Sequence, residues 1–160
     1  MKLDIGCGNF PTGDVNTDLF IEDIGHRTGT AKHLAPSLAA QKIKNFVLCD
    51  AGALPFREDV FDEVYSSHTI EHVNDPSLMI KEMVRVSKDK ISIVCPHRYG
   101  AKMFNRSAFH KSYLSKKWFF KIAKKLSVVM KINYSKFVEY PLLSFLPLEM
   151  SVDMRKQTKL

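Results

Sequence analysis

Residues Leu3-Asp4-Ile5-Gly6-Cys7-Gly8 constrain the fold more than any other stretch of this chain. A short apolar run ends in two glycines flanking one small residue. Without Cβ atoms, such a backbone bends sharply and lets a ligand come close. The layout recurs downstream. Val15-Asn16-Thr17-Asp18, Val47-Leu48-Cys49-Asp50-Ala51 and Phe61-Asp62-Glu63-Val64-Tyr65-Ser66-Ser67-His68 each carry a strand-like run into a polar residue. Strands ending this way, in this order, describe a parallel sheet with one nucleoside-sized ligand across its ends.

Two other glycine-loop readings fail on spacing. Gly8 and Gly13 are spaced as in a Walker A loop, but Asp14 stands where its lysine belongs. In the dinucleotide pattern G-x-G-x-x-G, Pro11 takes the third glycine's place, and Asp18 comes too early for the ribose acid.

The rest of the chain alternates strands and helices, which is the signature of an α/β sheet sandwich. Strands are expected over 2–6, 14–20, 45–49, 61–66 and 91–95, with a bare loop rather than a helix over 9–13. Residues 21–32 read as a loop and 34–43 as a helix. Asp75-Pro76-Ser77 starts a helix running to about Ser87, with Leu78, Met79, Glu82, Met83 and Val86 at helical spacing. Ser115 caps a second helix to Leu126. There Leu114, Trp118, Ile122 and Leu126 form a stripe, and Lys117, Lys121, Lys124 and Lys125 lie opposite. Residues 128–138 and 148–155 alternate as two closing strands.

A length of 160 residues fits one domain with a proper core. No apolar run approaches the ~20 residues of a membrane span, and Met1 opens no signal-peptide pattern. A cytoplasmic protein with no membrane span is expected. Cys7, Cys49 and Cys95 form no C-x-x-C pair and read as reduced, buried thiols. Charge is uneven. Residues 1–80 hold 6 Lys and Arg against 12 Asp and Glu, a net −6, and residues 81–160 hold 18 against 5, a net +13. The basic half points to an anionic partner or to a solvated lysine face.

The full series D-I-G-C-G, N-x-D, D-A-x-x-L-P-F and F-D-x-V-x-S-x-H-x-x-E-H resembles the class I S-adenosylmethionine (SAM)-dependent methyltransferases, over about residues 2–97. The resemblance implies a Rossmann-like three-layer sandwich, mostly parallel, with a C-terminal antiparallel hairpin strand. It implies one methyltransferase domain over 1–160, minimal and lacking the usual N-terminal helix. It implies SAM as cofactor, held by Asp4, Gly6, Cys7, Gly8, Asp18, Leu19, Asp50, Ala51, Ser67 and His68. In the family, the acid at Asp18 accepts from the ribose diol. The acid at Asp50 accepts from the adenine amine, and the N–H of Ala51 meets a ring nitrogen. Turn caps are the duller reading of both acids.

No catalytic base is identified. His97, after the fifth strand, and His110, before the basic helix, are the candidates. The acceptor is read as a small or anionic molecule, recognised through Arg98, Lys102, Arg106, His110 and Lys111, with Tyr99, Phe104 and Phe109 interleaved. Nucleic acid is a second candidate partner. A second copy of the chain could complete the site as a homodimer. The alternative function is a SAM-binding or nucleic-acid-binding interaction protein without turnover. His68-Thr69-Ile70-Glu71-His72 also matches the H-x-x-E-H zinc signature. That motif needs a helix presenting both histidines and a third ligand further on. Here it follows a strand and is cut short by Asn74-Asp75-Pro76, so no metal is expected.

Overall fold

The computed structural model describes residues 1–20, 43–98, 110–136 and 147–157. Seven strands form one sheet: β1 (Lys2–Ile5), β2 (Val15–Asp18), β3 (Phe46–Leu48), β4 (Phe61–Ser67), β5 (Ser87–Pro96), β6 (Val128–Lys136) and β7 (Pro147–Lys156). Their order is β3-β2-β1-β4-β5-β7-β6. β1 to β5 are parallel, and β7 runs antiparallel between β5 and β6. This is the expected Rossmann-like sheet with its antiparallel hairpin. Strand order reverses between β1 and β4, and the crevice at such a switch point is where open α/β sheets take ligands.

The β1–β2 connection is a short loop, as its proline and glycine foretold. Side chains hold it down where other such folds use a helix. The Asp4 carboxylate accepts from the Thr12 N–H at 2.8 Å and the Thr12 hydroxyl at 2.9 Å. The Lys2 N–H donates to the Asp14 carboxylate at 2.7 Å, and the Asp14 N–H returns a bond to the Lys2 carbonyl at 2.9 Å. Asn16 is buried and bridges Gly13 to the Lys44 carbonyl.

Helix α1 (Pro76–Val86) begins where expected. The Asp75 carboxylate accepts from the N–H groups of Ser77 and Leu78, and Pro76 occupies the first turn. Met79, Ile80, Met83 and Val86 are its buried residues, and α1 packs on β4 and β5. Leu78, expected inside, is instead 48% exposed, and Ile80 takes its place. Glu82 is not core either. It pairs with Arg85 at 2.7 Å and accepts from the Leu54 N–H at 2.8 Å. Arg85 donates to the Leu54 and Phe56 carbonyls. The Leu54-Pro55-Phe56 string is therefore clamped to α1 by one ion pair.

Helix α2 (Lys116–Lys125) is capped by Ser115 and packs on β6. Its buried residues are Phe119, Ile122 and Ala123, with Trp118 only half-buried. A spacing of four drifts around a helix of 3.6 residues per turn, so the inward face passes from Trp118 to Phe119. β5 starts four residues earlier than its apolar run suggests, because Ser87 pairs with Phe61 of β4. The residues expected as a loop over 21–32 and nearly all of the helix over 34–43 lie outside the described residues. Among the described residues, no helix is long and apolar enough to cross a membrane.

Candidate functional site

A cavity of about 550 Å³ opens at the C-terminal ends of β1, β2, β3 and β4, at the switch point. That volume suits a small-molecule site. All ten residues assigned to the cofactor from sequence lie on its wall: Asp4, Gly6, Cys7, Gly8, Asp18, Leu19, Asp50, Ala51, Ser67 and His68. Phe10, Tyr65, Thr69, His72 and Lys111 line it too.

The glycine turn has the geometry its residues predict. Gly6 has φ +69° and Gly8 φ +52°, the left-handed region that disfavours a Cβ. A Cβ on Gly6 would stand 2.1 Å from the Thr69 hydroxyl oxygen. The turn after β4 is thus packed directly on the turn after β1. Backbone bonds hold the loop. The N–H groups of Gly6 and Cys7 donate to the Thr17 carbonyl at 2.8 and 3.0 Å.

Each acid on the wall is tied to a nearby backbone. Asp18 is buried. Its two carboxylate oxygens accept from the N–H of Gly8 at 3.0 Å and the N–H of Phe20 at 3.2 Å. Asp18 therefore joins the β1 turn to the end of β2. Asp50 is exposed and accepts from the Gly52 N–H at 2.7 Å. The turn-capping role and a ligand-facing role coexist, because a carboxylate oxygen accepts more than one hydrogen bond. Asp4 is buried beneath the loop, and that burial raises its pKa above the ordinary carboxylate value.

The other side of the cavity is built from the turn after β4. His68 leaves the strand at φ +51°. Its Nε2 lies 2.9 Å from Glu149 of β7, and its Nδ1 lies 3.5 Å from Glu71. Its pKa is raised, chiefly by the neighbouring Glu71 carboxylate. Glu71 is 3% exposed, and neither carboxylate oxygen has a hydrogen-bond partner among the described residues. The His72 ring meets the His110 ring edge-on, with centroids 5.0 Å apart. The N–H groups of Lys111 and Ser112 donate to the Glu71 carbonyl, which pins residues 110–112 against this turn. The H-x-x-E-H string is on a strand end and turn, as its flanks indicated. Glu149 and His110 arrive from far along the chain and were not legible in the string itself.

The two candidate bases sit differently. His97 is buried outside the cavity wall, where its ring meets Tyr134 edge-on at 5.7 Å. Burial lowers its pKa. His110 is behind the wall, reaching it through His72. None of the three cysteines forms a disulfide, and burial pushes the Cys49 and Cys95 thiols up. Of the basic and aromatic surface, Arg98 is exposed and Lys111 lines the cavity, donating to Asn74 at 2.8 Å. Tyr99, Lys102, Phe104, Arg106 and Phe109 lie outside the described residues.

Known proteins agree with this architecture. Residues 3–95 match the family model for a methyltransferase domain. Ajmaline N-methyltransferase from Rauvolfia serpentina is 33% identical over 98 residues, covering 58% of this chain. The chain spans about a third of that relative's length, 34%. A SAM-dependent methyltransferase from Archaeoglobus fulgidus superposes with a TM-score of 0.68 at 17% identity, covering 97% of this chain and 85% of the other. One from Methanosarcina mazei does so with a TM-score of 0.65 at 18% identity, covering 99% and 92%. At these identities the structural likeness shows the fold.

Proposed function

The chain belongs to the methyltransferase domain family, and from that premise we propose that it binds SAM in the switch-point cavity and transfers its methyl group to a small acceptor. One observation carries the reading. Ten residues chosen by motif alone, from four separate strand ends, line a single cavity of about 550 Å³ whose two turn glycines both have positive φ. The donor set fits the cofactor. Asp18 and Asp50 on the wall offer acceptors of the kind a ribose diol and an adenine amine need, and an acid-lined wall suits a sulfonium.

In this reading Asp18 takes the ribose and Asp50 the adenine amine, with the Ala51 N–H on a ring nitrogen. The glycine turn, together with Asp4 and Cys7, gives the backbone room to approach, and Ser67 and His68 border the methionine end. When bound, SAM supplies an activated methyl, which bonds to the acceptor nucleophile as its bond to sulfur breaks, leaving S-adenosylhomocysteine. The protein's own work is positioning and exclusion of water. A general base is required only where the acceptor must lose a proton at the same time.

On the acceptor side, the name of the Rauvolfia serpentina relative states N-methylation of ajmaline, a small molecule. Lys111 on the cavity wall and the net +13 of residues 81–160 favour an anionic acceptor here. Residues 1–160 act as one domain in this account. The test is methyl transfer from isotope-labelled SAM to a panel of anionic and neutral small acceptors. Label should move to a small anion. If SAM binds and no acceptor, nucleic acid included, takes the label, the protein is a binding module. If SAM does not bind, the reading fails altogether.

A further inference from the structure

We propose that Glu71, His72 and His110 form a site for one divalent transition-metal cation, Zn²⁺ in the first instance, at the wall of the cavity. One ligand atom from each of the three side chains lies within 4.8 Å of the other two. Four tetrahedral ligands at Zn–N and Zn–O bond lengths are about 3.4 Å apart, so small side-chain rotations close the site. Two imidazoles and one carboxylate make a donor set suited to Zn²⁺ and its first-row neighbours rather than to Ca²⁺ or Mg²⁺. Three protein ligands leave a position open, and His72 lines the cavity.

The second observation is an electrostatic deficit. Glu71 is 3% exposed, and among the described residues neither of its oxygens has a hydrogen-bond partner. The Nδ1 of His110 is buried and has none among them either. Burying a carboxylate without a partner is costly, and natural folds pair such a group or give it to a metal. His68 is an incomplete answer. It approaches one Glu71 oxygen at 3.5 Å, the His72 Nε2 stands 4.0 Å from the same oxygen, and the other nitrogen of His68 is engaged by Glu149 at 2.9 Å. It leaves the second oxygen and the His110 nitrogen unexplained. A single cation between Glu71, His72 and His110 answers all of these.

The expectation of no metal rested on the absence of a helix that would present His68 and His72 as paired ligands. The fold turns His68 toward Glu149 and supplies His110 as the third ligand instead. Where the methyl-transfer reading also holds, and this clause rests on it, the open position would hold a donor oxygen or nitrogen of the acceptor.

The experiment uses the full chain without a histidine tag, stripped by chelator, with Zn²⁺ as the titrant and Co²⁺ as the spectroscopic probe. One Zn²⁺ per chain should bind, and Co²⁺ should give intense visible absorption bands. His72→Ala, His110→Ala and Glu71→Gln should each weaken binding at least a hundredfold. Circular dichroism checks each variant's fold, and Glu71→Gln, close to isosteric, keeps the test valid should an alanine variant unfold. A folded wild-type protein that takes up neither metal at millimolar concentration overturns the site. So does stoichiometric binding that survives Glu71→Gln. SAM affinity, measured separately in the stripped protein, distinguishes failure of the metal site from failure of the methyltransferase reading.

Discussion

The two sides of the cavity are built on opposite principles. On the β1–β2 side every acid is tied to the backbone: Asp4 to Thr12, Asp18 to Gly8 and Phe20, and further out Asp50 to Gly52. These bonds close locally, over two to ten residues, and hold a short loop in place without a covering helix. On the β4 side Glu71 is buried with no hydrogen bond to its oxygens among the described residues, His68 and His72 approach one of them only at 3.5 and 4.0 Å, and His110 comes from far along the chain. Polar groups that satisfy one another build a scaffold. Polar groups left unsatisfied in a buried place mark where something else is to be held.

The largest effect should come from Gly6. Gly6→Ala combines a left-handed φ with a Cβ contact of 2.1 Å against Thr69. The cost should be about 2–4 kcal/mol in urea unfolding, from backbone strain plus overpacking. The double variant Gly6→Ala with Thr69→Gly should recover the steric part and leave the strain. Full stability in Gly6→Ala would mean that the two turns are not packed as described.

A matched change at two glutamates sharpens the contrast. Glu82→Gln breaks the clamp through Arg85 and should cost about 1–2 kcal/mol, discounted from the range for charged hydrogen bonds by the partial exposure of Arg85. Glu71→Gln in chelator-treated protein removes a buried charge that His68 and His72 approach only at 3.5 and 4.0 Å, and stability should change by less than about 1 kcal/mol in either direction. Equal losses at both positions would erase the distinction drawn between the two sides.

The smallest effect is in pH dependence. The Arg85 hydrogen bond holds the Glu82 carboxyl below its ordinary value of 4.5. A lowered carboxylate contributes stability that is present above the unfolded pKa and lost as pH falls through the folded one. The gap between wild type and Glu82→Gln should therefore narrow as pH falls from 7 toward 3. Asp4 acts with the opposite sign. Burial raises its pKa, so its contribution is present in acid and lost as pH rises through the folded value. Asp4→Asn keeps an oxygen for Thr12 and should remove that second slope. A Glu82→Gln gap that is constant across this range would show that the clamp carries no titrating charge.

Legibility from sequence follows the same division. The strand ends from Leu3 to Ser67, the Asp75 cap and the Ser115 cap all depend on neighbours a few residues away, so their patterns can be read directly. Leu78 and Trp118 misled because apolar spacing near the start of a helix suits more than one face, and packing then chose Ile80 and Phe119. Glu149 could not be placed without the β5–β7 register, which sets it opposite Pro96 at the end of β5. His110 could not be placed without the bonds from Lys111 and Ser112 to the Glu71 carbonyl. Long-range pairing decides both, and no local pattern encodes it.

The central claim is that Asp18, on the partnered side, anchors the cofactor and that Glu71, on the other side, does not. Calorimetric titration of SAM into wild type, Asp18→Ala and Glu71→Gln tests it in one series. Wild type should bind one SAM, Asp18→Ala should lose about 1.5–3 kcal/mol, roughly ten- to 150-fold in Kd, and Glu71→Gln should stay within twofold of wild type. Undiminished binding by Asp18→Ala, or loss of binding by a folded Glu71→Gln, would contradict the account.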